Sequence, residues 1–107
     1  MAKERDYQAG LIKRLENIFP GCMVLKNDAN YRQGIPDLLI LFKDRWAALE
    51  VKQSAKAKKR PNQDYYVNHM NDMSYASFIS PDNEVEILDE IQRALQPTRK
   101  ARVSKSK

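Results

Sequence analysis

Two neighbouring apolar segments decide the fold: GIPDLLILF at residues 34–42 and WAALEVK at residues 46–52. A connection of three residues separates them, which is short enough for a hairpin, so we predict two paired β-strands. Asp37 opens the first strand, while Glu50 and Lys52 lie two residues apart near the end of the second and therefore project from one face. Charged groups among apolar side chains cost free energy unless another group neutralises them, and a divalent cation would do so.

The register of this hairpin decides whether the two carboxylates meet. If Lys43 and Asp44 form a two-residue turn, Asp37 lies directly opposite Glu50 and both side chains occupy one face. A three-residue loop would place Asp37 on the face opposite Glu50. A shared metal site therefore requires an even loop or a bulge. The alternative for these charges is a cross-strand ion pair on a solvated face.

Length and composition predict one globular domain. The chain has 107 residues, of which 42% are hydrophobic and 31% charged, as is usual for such domains. No apolar run approaches the roughly 18 residues of a membrane span, and no charged-then-apolar leader opens the sequence. The lone Cys22 cannot form an internal disulfide and is expected in the core. We therefore predict a cytoplasmic protein without membrane contact.

The net charge of +5 comes entirely from the last eleven residues. Residues 1–96 hold 14 basic and 14 acidic side chains, whereas residues 97–107 hold five cations and no anion. We predict a folded domain over residues 1–96 and a disordered basic tail over residues 97–107. Two roles are equally consistent with such a tail: binding to a phosphate backbone, and keeping the protein in solution.

Hydrophobic spacing predicts the element order α-β-β-β-α-β-α, an α/β (α+β) fold with a central mixed sheet of about four strands flanked by helices. Besides the hairpin, the expected helices are residues 3–19, 61–73 and 84–96, and the expected strands are residues 22–26 and 76–80. The second helix carries the stripe Gln63, Tyr66, Val67, Met70 and Met73. The closing helix carries Val85, Leu88, Ile91 and Leu95, with Ile87 on the flank.

This order, with GIPD at residues 34–37 and EVK at residues 50–52, resembles the PD-(D/E)xK nuclease superfamily. The closest likeness is to small stand-alone VRR-NUC (virus-type replication-repair nuclease) and Holliday-junction-resolvase-like proteins, and it covers residues 3–95. The resemblance implies a restriction-endonuclease-like αβββαβα core that hydrolyses DNA phosphodiesters to 5′-phosphate and 3′-hydroxyl ends. It also implies a homodimer on branched DNA, in the recombination or repair of a phage-like genome.

The resemblance assigns a metal site to the hairpin. Asp37, Glu50 and the backbone carbonyl of Val51 offer hard oxygen ligands for Mg²⁺, with Mn²⁺ as a substitute. Lys52 would orient the attacking water or stabilise the transition state.

Two helix-start residues are further site candidates. Glu4 lies near the centre of the apolar stripe of the first helix and is expected as a third ligand, whereas Glu16 falls at the edge of that stripe and remains the alternative. Gln63 begins the stripe of the second helix, where it either joins the site or is an ordinary helix-start residue.

Loops beside the site supply the candidate DNA contacts, although a charge run is often merely solvated. Tyr31 and Arg32, in the loop that leads into the first hairpin strand, are considered for stacking on or wedging a base at a branch point. The full set of candidates is Tyr31, Arg32, Lys56, Lys58, Lys59 and Arg60. The sequence thus favours a magnesium-dependent, structure-selective DNA endonuclease, the alternative being a non-catalytic or partner-dependent DNA-binding module that retains the nuclease fold.

Overall fold

The computed structural model describes residues 3–96, so the predicted tail at residues 97–107 lies outside the described residues. The described chain forms α1 (Glu4–Ile18), β1 (Met23–Lys26), β2 (Leu38–Phe42), β3 (Arg45–Val51), α2 (Pro61–Met73), β4 (Tyr75–Ile79) and α3 (Glu84–Leu95). The predicted element order is confirmed. None of these helices is long and apolar enough to cross a membrane.

The strands form one mixed sheet in the order β1-β2-β3-β4. β1–β2 and β2–β3 are antiparallel pairs, and β3–β4 is parallel. The last pair is parallel because α2 returns the chain to the end of the sheet where β3 began, as parallel strands require a crossover. The predicted α+β architecture with a helix-flanked mixed sheet is therefore confirmed.

A two-residue turn at Lys43 and Asp44 joins β2 to β3. Phe42 pairs with Arg45 across this turn, so the even-loop prediction is confirmed. Lys43 has a φ of 57°, and tight hairpins of this kind need a positive φ because it matches the twist of the strands.

One face of the sheet packs against α1 and α3 and forms the main core. The strands place alternate residues on this face, and Cys22 packs against the core from the side, half-buried. Each fully buried aliphatic or aromatic side chain contributes about 1.5–3 kcal/mol. The buried members are Leu11, Leu15, Phe19, Leu38, Ile40, Phe42, Ala47, Leu49, Val51, Ile79, Ile87, Ile91 and Leu95.

A polar clamp ties the two helices on this face to each other. Glu84, the first residue of α3, accepts a hydrogen bond from the Tyr7 hydroxyl at 2.7 Å. The same carboxylate accepts from Arg14 Nε at 2.6 Å and from Arg14 Nη2 at 2.9 Å. A two-pronged contact of this geometry fixes the position of α1 relative to α3.

The opposite face of the sheet packs against α2. Ala48, Val67 and Ala76 are buried there, and Trp46 and Met70 pack around them. This smaller core matters for function because Glu50 lies on the same face, one strand period beyond Ala48.

Two residues of the predicted helix stripes lie outside the core. Val85 is 86% exposed and Met73 is 60% exposed. In α3 the inward positions are Ile87, Ile91 and Leu95, which are spaced four residues apart and so share one helix face. Met73 is the last residue of α2, where the helix leaves the sheet.

Candidate active site

Asp37 and Glu50 meet at the end of the hairpin remote from the turn. Leu38 pairs with Leu49, so one further step in the same register places Asp37 opposite Glu50. Glu50 is only 4% exposed, and Asp37 is half-buried. These charges therefore do not lie on a solvated face, although Lys52 Nζ and Glu50 Oε2 do form an ion pair at 3.9 Å.

Pro36 ends the strand pairing in a way that leaves a backbone oxygen available. The continued register sets Pro36 opposite Val51, and proline has no N–H to donate to the Val51 carbonyl. The Val51 N–H donates to Asp37 Oδ2 at 2.9 Å, while the Pro36 carbonyl accepts from Asn27 Nδ2 at 2.8 Å. The Val51 carbonyl, next to both carboxylates, thus lacks the ladder partner that any other residue at position 36 would offer.

Gln63 links the carboxylate and the ammonium of the site. Its Nε2 donates to Glu50 Oε2 at 2.9 Å, and its Oε1 accepts from Lys52 Nζ at 2.9 Å. The same oxygen accepts from the backbone N–H of Arg60 at 3.1 Å, as a residue in the first turn of a helix often does. Gln63 therefore fills both roles considered for it, because the start of α2 lies directly over the end of β3.

The connection from β3 to α2 holds Lys52 in place. Lys52 Nζ donates to the Lys58 carbonyl at 3.0 Å, and it lies 3.9 Å from Glu50 Oε2. The connection is itself fixed to the turn before α3, since the Ala55 N–H donates to Asp82 Oδ2 at 2.7 Å. Lys52 is thus directed toward the carboxylates without a short contact to either of them.

Burial sets the charge state of the two acids. Burial and the negative charges of Asp37 and Glu4 raise the pKa of Glu50, while the positive charge of Lys52 lowers it. The net effect is a pKa of about 8. Burial also raises the pKa of Asp37, while the Val51 N–H and the Lys52 charge act in the opposite direction. At neutral pH the metal-free site therefore retains a proton on Glu50, and a bound cation would displace it.

The structure separates the two candidate glutamates of α1. Burial and then the charge of Asp37 raise the pKa of Glu4, and Lys52 lowers it, so Glu4 lies within electrostatic range of the site. At the other end of the helix, burial and then the negative charge of Glu16 raise the pKa of the Cys22 thiol, so Glu16 lies near Cys22 instead. Residues 3–96 contain no group of three or more His, Cys, Asp and Glu side chains placed to hold a metal ion. Glu4 as a ligand stays a prediction.

A pocket of about 400 Å³ opens over the two carboxylates. Its walls are the loop at residues 29–35 and the start of α2, and its lining residues include Asn30, Gln33 and Asn62. Sequence reasoning missed these three residues, because isolated polar residues in a loop or at a helix start show no periodicity that would mark them.

The candidate DNA contacts are all exposed, but they do not share one location. Tyr31 is 84% exposed, and its neighbour Arg32 donates to the Tyr66 hydroxyl at 3.2 Å. Arg60 lines the pocket. Lys59 instead lies over the Phe78 ring at 4.3 Å, which holds its charge beside the sheet.

The other two candidates, Lys56 and Lys58, are exposed on the connection between β3 and α2. Lys58 also supplies the backbone carbonyl that positions Lys52. This connection therefore contributes to the site through its backbone, whatever its side chains bind.

No known protein-family model matches this chain, and neither a curated protein nor a solved structure matches it significantly.

Proposed function

We propose that this protein is a magnesium-dependent, structure-selective DNA endonuclease of the PD-(D/E)xK type, acting on branched DNA as a homodimer. The observation that supports this best is the convergence of the buried Glu50 and the half-buried Asp37 with Lys52 at one end of a hairpin. Gln63 cross-links the set from a second element. A structural ion pair has no need of a second acid, which raises the pKa of the first.

The donor set fits a hard divalent cation. Asp37, Glu50 and the Val51 carbonyl are all oxygen donors, and Mg²⁺ in proteins is commonly held by one or two carboxylates together with waters and substrate phosphate. Mn²⁺ accepts the same ligands. Bound there, the ion would lower the pKa of a water and neutralise charge on the phosphate.

The protein residues then orient the reactants. Asp37 is fixed by the Val51 N–H and Glu50 by Gln63, so neither carboxylate needs to reorganise. Lys52 carries the nearest cation and is placed to orient the attacking water or to stabilise charge on the phosphoryl oxygens. Its two hydrogen bonds to acceptors in the protein keep it in this position before substrate arrives.

Cleavage of labelled DNA tests the proposal. The purified full-length chain is incubated with a four-way junction, a flap, a splayed arm and a linear duplex, in Mg²⁺, Mn²⁺ or EDTA. We expect cutting of at least one branched substrate with either metal and none in EDTA. Asp37→Asn, Glu50→Gln and Lys52→Ala should each reduce the rate by about 100-fold or more, as loss of a group that stabilises transition-state charge does.

The control variant is Glu16→Gln, which removes an exposed carboxylate from the remote end of α1 and should cut at the parental rate. Glu4→Gln, at the near end, should slow cutting if Glu4 contributes to the site. If no substrate is cut with metal, or if the Asp37 and Lys52 variants cut as well as the parent, the endonuclease proposal is wrong. Gel-shift binding of branched DNA without any cutting would favour the DNA-binding module.

The dimer is tested separately by sedimentation equilibrium with and without the junction. A two-fold symmetric junction needs two sites related by symmetry, so we expect two chains per junction. One chain per junction would refute the homodimer.

A further inference from the structure

We propose that the pocket above the two carboxylates binds an unpaired nucleobase next to the scissile phosphate. This inference rests on the proposed function and extends it to the substrate: the protein would select DNA in which that nucleotide is not base-paired. Its starting point is the pocket of about 400 Å³ whose lining includes both Asp37 and Glu50. Pockets for one small ligand commonly measure about 300–1,000 Å³, so the size fits one nucleotide.

The chemistry of the lining favours a base over a second phosphate. Asn30, Gln33 and Asn62 line the pocket, and within residues 3–96 no protein group forms a hydrogen bond with their side-chain amides. Each amide offers both donors and an acceptor, and the Watson–Crick edge of a base presents both kinds of group. A phosphate presents acceptors only. Arg60 on the lining would attract it, but the negative charge of Asp37 below would repel it unless a cation lay between.

The amides stand on a wall that is fixed from two sides. Gly34 packs directly on Asn62, since a Cβ added at Gly34 would come within 2.7 Å of Asn62 Cγ. Two residues before Gly34 in the same loop, the Arg32 guanidinium donates to the Tyr66 hydroxyl of α2 at 3.2 Å. The gap between the loop and α2 is therefore set before any ligand binds, which reduces the entropic cost of binding.

Selection for unpaired nucleotides follows from this geometry. A base enters such a pocket only after leaving its helical stack, and the free energy of unstacking and unpairing is smallest where the nucleotide is already unpaired. Flaps, splayed arms and junction centres provide such nucleotides, and a continuous duplex does not. The pocket thus gives a physical basis for structure selectivity without any reading of sequence.

A cutting experiment measures the contribution of the base. The parent is compared on flap substrates carrying either a normal unpaired nucleotide or an abasic analogue at each position flanking the cut. We expect the normal substrate to be cut about tenfold faster at one of these positions, as loss of one or two hydrogen bonds implies. In the double variant Gln33→Ala with Asn62→Ala this ratio should fall toward one. The control Asn68→Ala, an exposed amide on the same helix, should keep the parental ratio.

A binding experiment separates this inference from the proposed cleavage. A 2-aminopurine at the unpaired position fluoresces more strongly when it leaves the stack, so the parent in EDTA should raise its emission and the double variant should not. If the parent raises the 2-aminopurine emission but cuts no substrate in Mg²⁺, the base-binding pocket is supported and the endonuclease proposal is wrong. If the parent cuts normal and abasic DNA at equal rates, the base-binding pocket is wrong and the endonuclease proposal stands. The same holds if the double variant raises the emission as much as the parent does.

Discussion

Replacing Glu50 by glutamine should stabilise the metal-free protein at neutral pH. The pKa of Glu50 is raised from its ordinary value of 4.5 to about 8 in the fold, whereas in the unfolded chain the carboxyl ionises near the ordinary value. Because the folded pKa is the higher one, stability is greatest below about pH 4.5 and falls as pH rises toward 8. Each pH unit in that window removes up to about 1.4 kcal/mol. Between pH 4.5 and 7 the loss is about 3 kcal/mol.

Glutamine keeps the shape of the side chain and removes the titration. Its amide oxygen can accept the hydrogen bond that Gln63 Nε2 now gives to Glu50 Oε2, and its amide nitrogen can donate to Asp37 in place of the carboxyl proton. We therefore expect Glu50→Gln to exceed the parent by about 3 kcal/mol in free energy of unfolding at pH 7 and to equal it near pH 4.5. The gain is a large share of the total stability of a small domain, about 5–15 kcal/mol.

Urea denaturation in EDTA at several pH values measures this difference. The control Glu16→Gln should stay within about 0.5 kcal/mol of the parent throughout, as exposed substitutions do. Addition of Mg²⁺ should narrow the gap at pH 7, since a ligand that binds only the folded parent stabilises it. If Glu50→Gln is no more stable than the parent at pH 7, burial of the Glu50 carboxyl does not destabilise the fold. The same conclusion follows if the gain in free energy of unfolding is as large at pH 4.5 as at pH 7.

Three further predictions follow from other features. Mg²⁺ affinity measured by calorimetry should rise by up to about tenfold per pH unit from pH 6 to 8, because the ion displaces the proton of Glu50; a pH-independent affinity would contradict this. Gly34→Ala should lower the melting temperature more than Gly21→Ala: both glycines have positive φ, but only the Cβ at Gly34 meets Asn62, so equal shifts would remove the close-packing role. Deleting residues 97–107 should flatten the salt dependence of DNA binding by up to about 0.9 log-log slope units per lost phosphate contact, and an unchanged slope would exclude the tail from binding.

The hairpin shows how far local sequence rules reach. Strand period and turn length together fix the register. The sequence therefore predicted that Asp37 would lie opposite Glu50 if the turn had two residues, and the structure has such a turn. Gln63 was also placed correctly, since a proline two residues before it marks the helix start. These features depend on neighbours along the chain, and such short-range geometry varies little with the rest of the fold.

The inward face of α3 and the pocket lining depend on contacts between residues that are distant in the chain, so the sequence did not predict them. In α3 the stripe containing Val85 and the stripe containing Ile87 overlap in sequence, and only the packing on the sheet shows that Ile87 is inside. The role of Asn62 as a pocket wall depends on Gly34, which lies twenty-eight residues earlier in the chain. Gly34, immediately before the Ile-Pro-Asp segment, was the one sign in the sequence that the loop packs closely against another part of the chain.

Apart from Glu4, the groups expected to act on the scissile phosphate come from one continuous stretch of the chain. Residues 34–63 contain both carboxylates, the lysine, the glutamine and the Val51 carbonyl, while the clamp between Tyr7 and Glu84 spans 77 positions. Genetic exchange with ends on either side of this stretch would therefore transfer the chemistry intact. The helices outside it are free to diverge as long as they cover the sheet, and traces of common ancestry in related chains should persist longest between the glycine at position 34 and the start of α2.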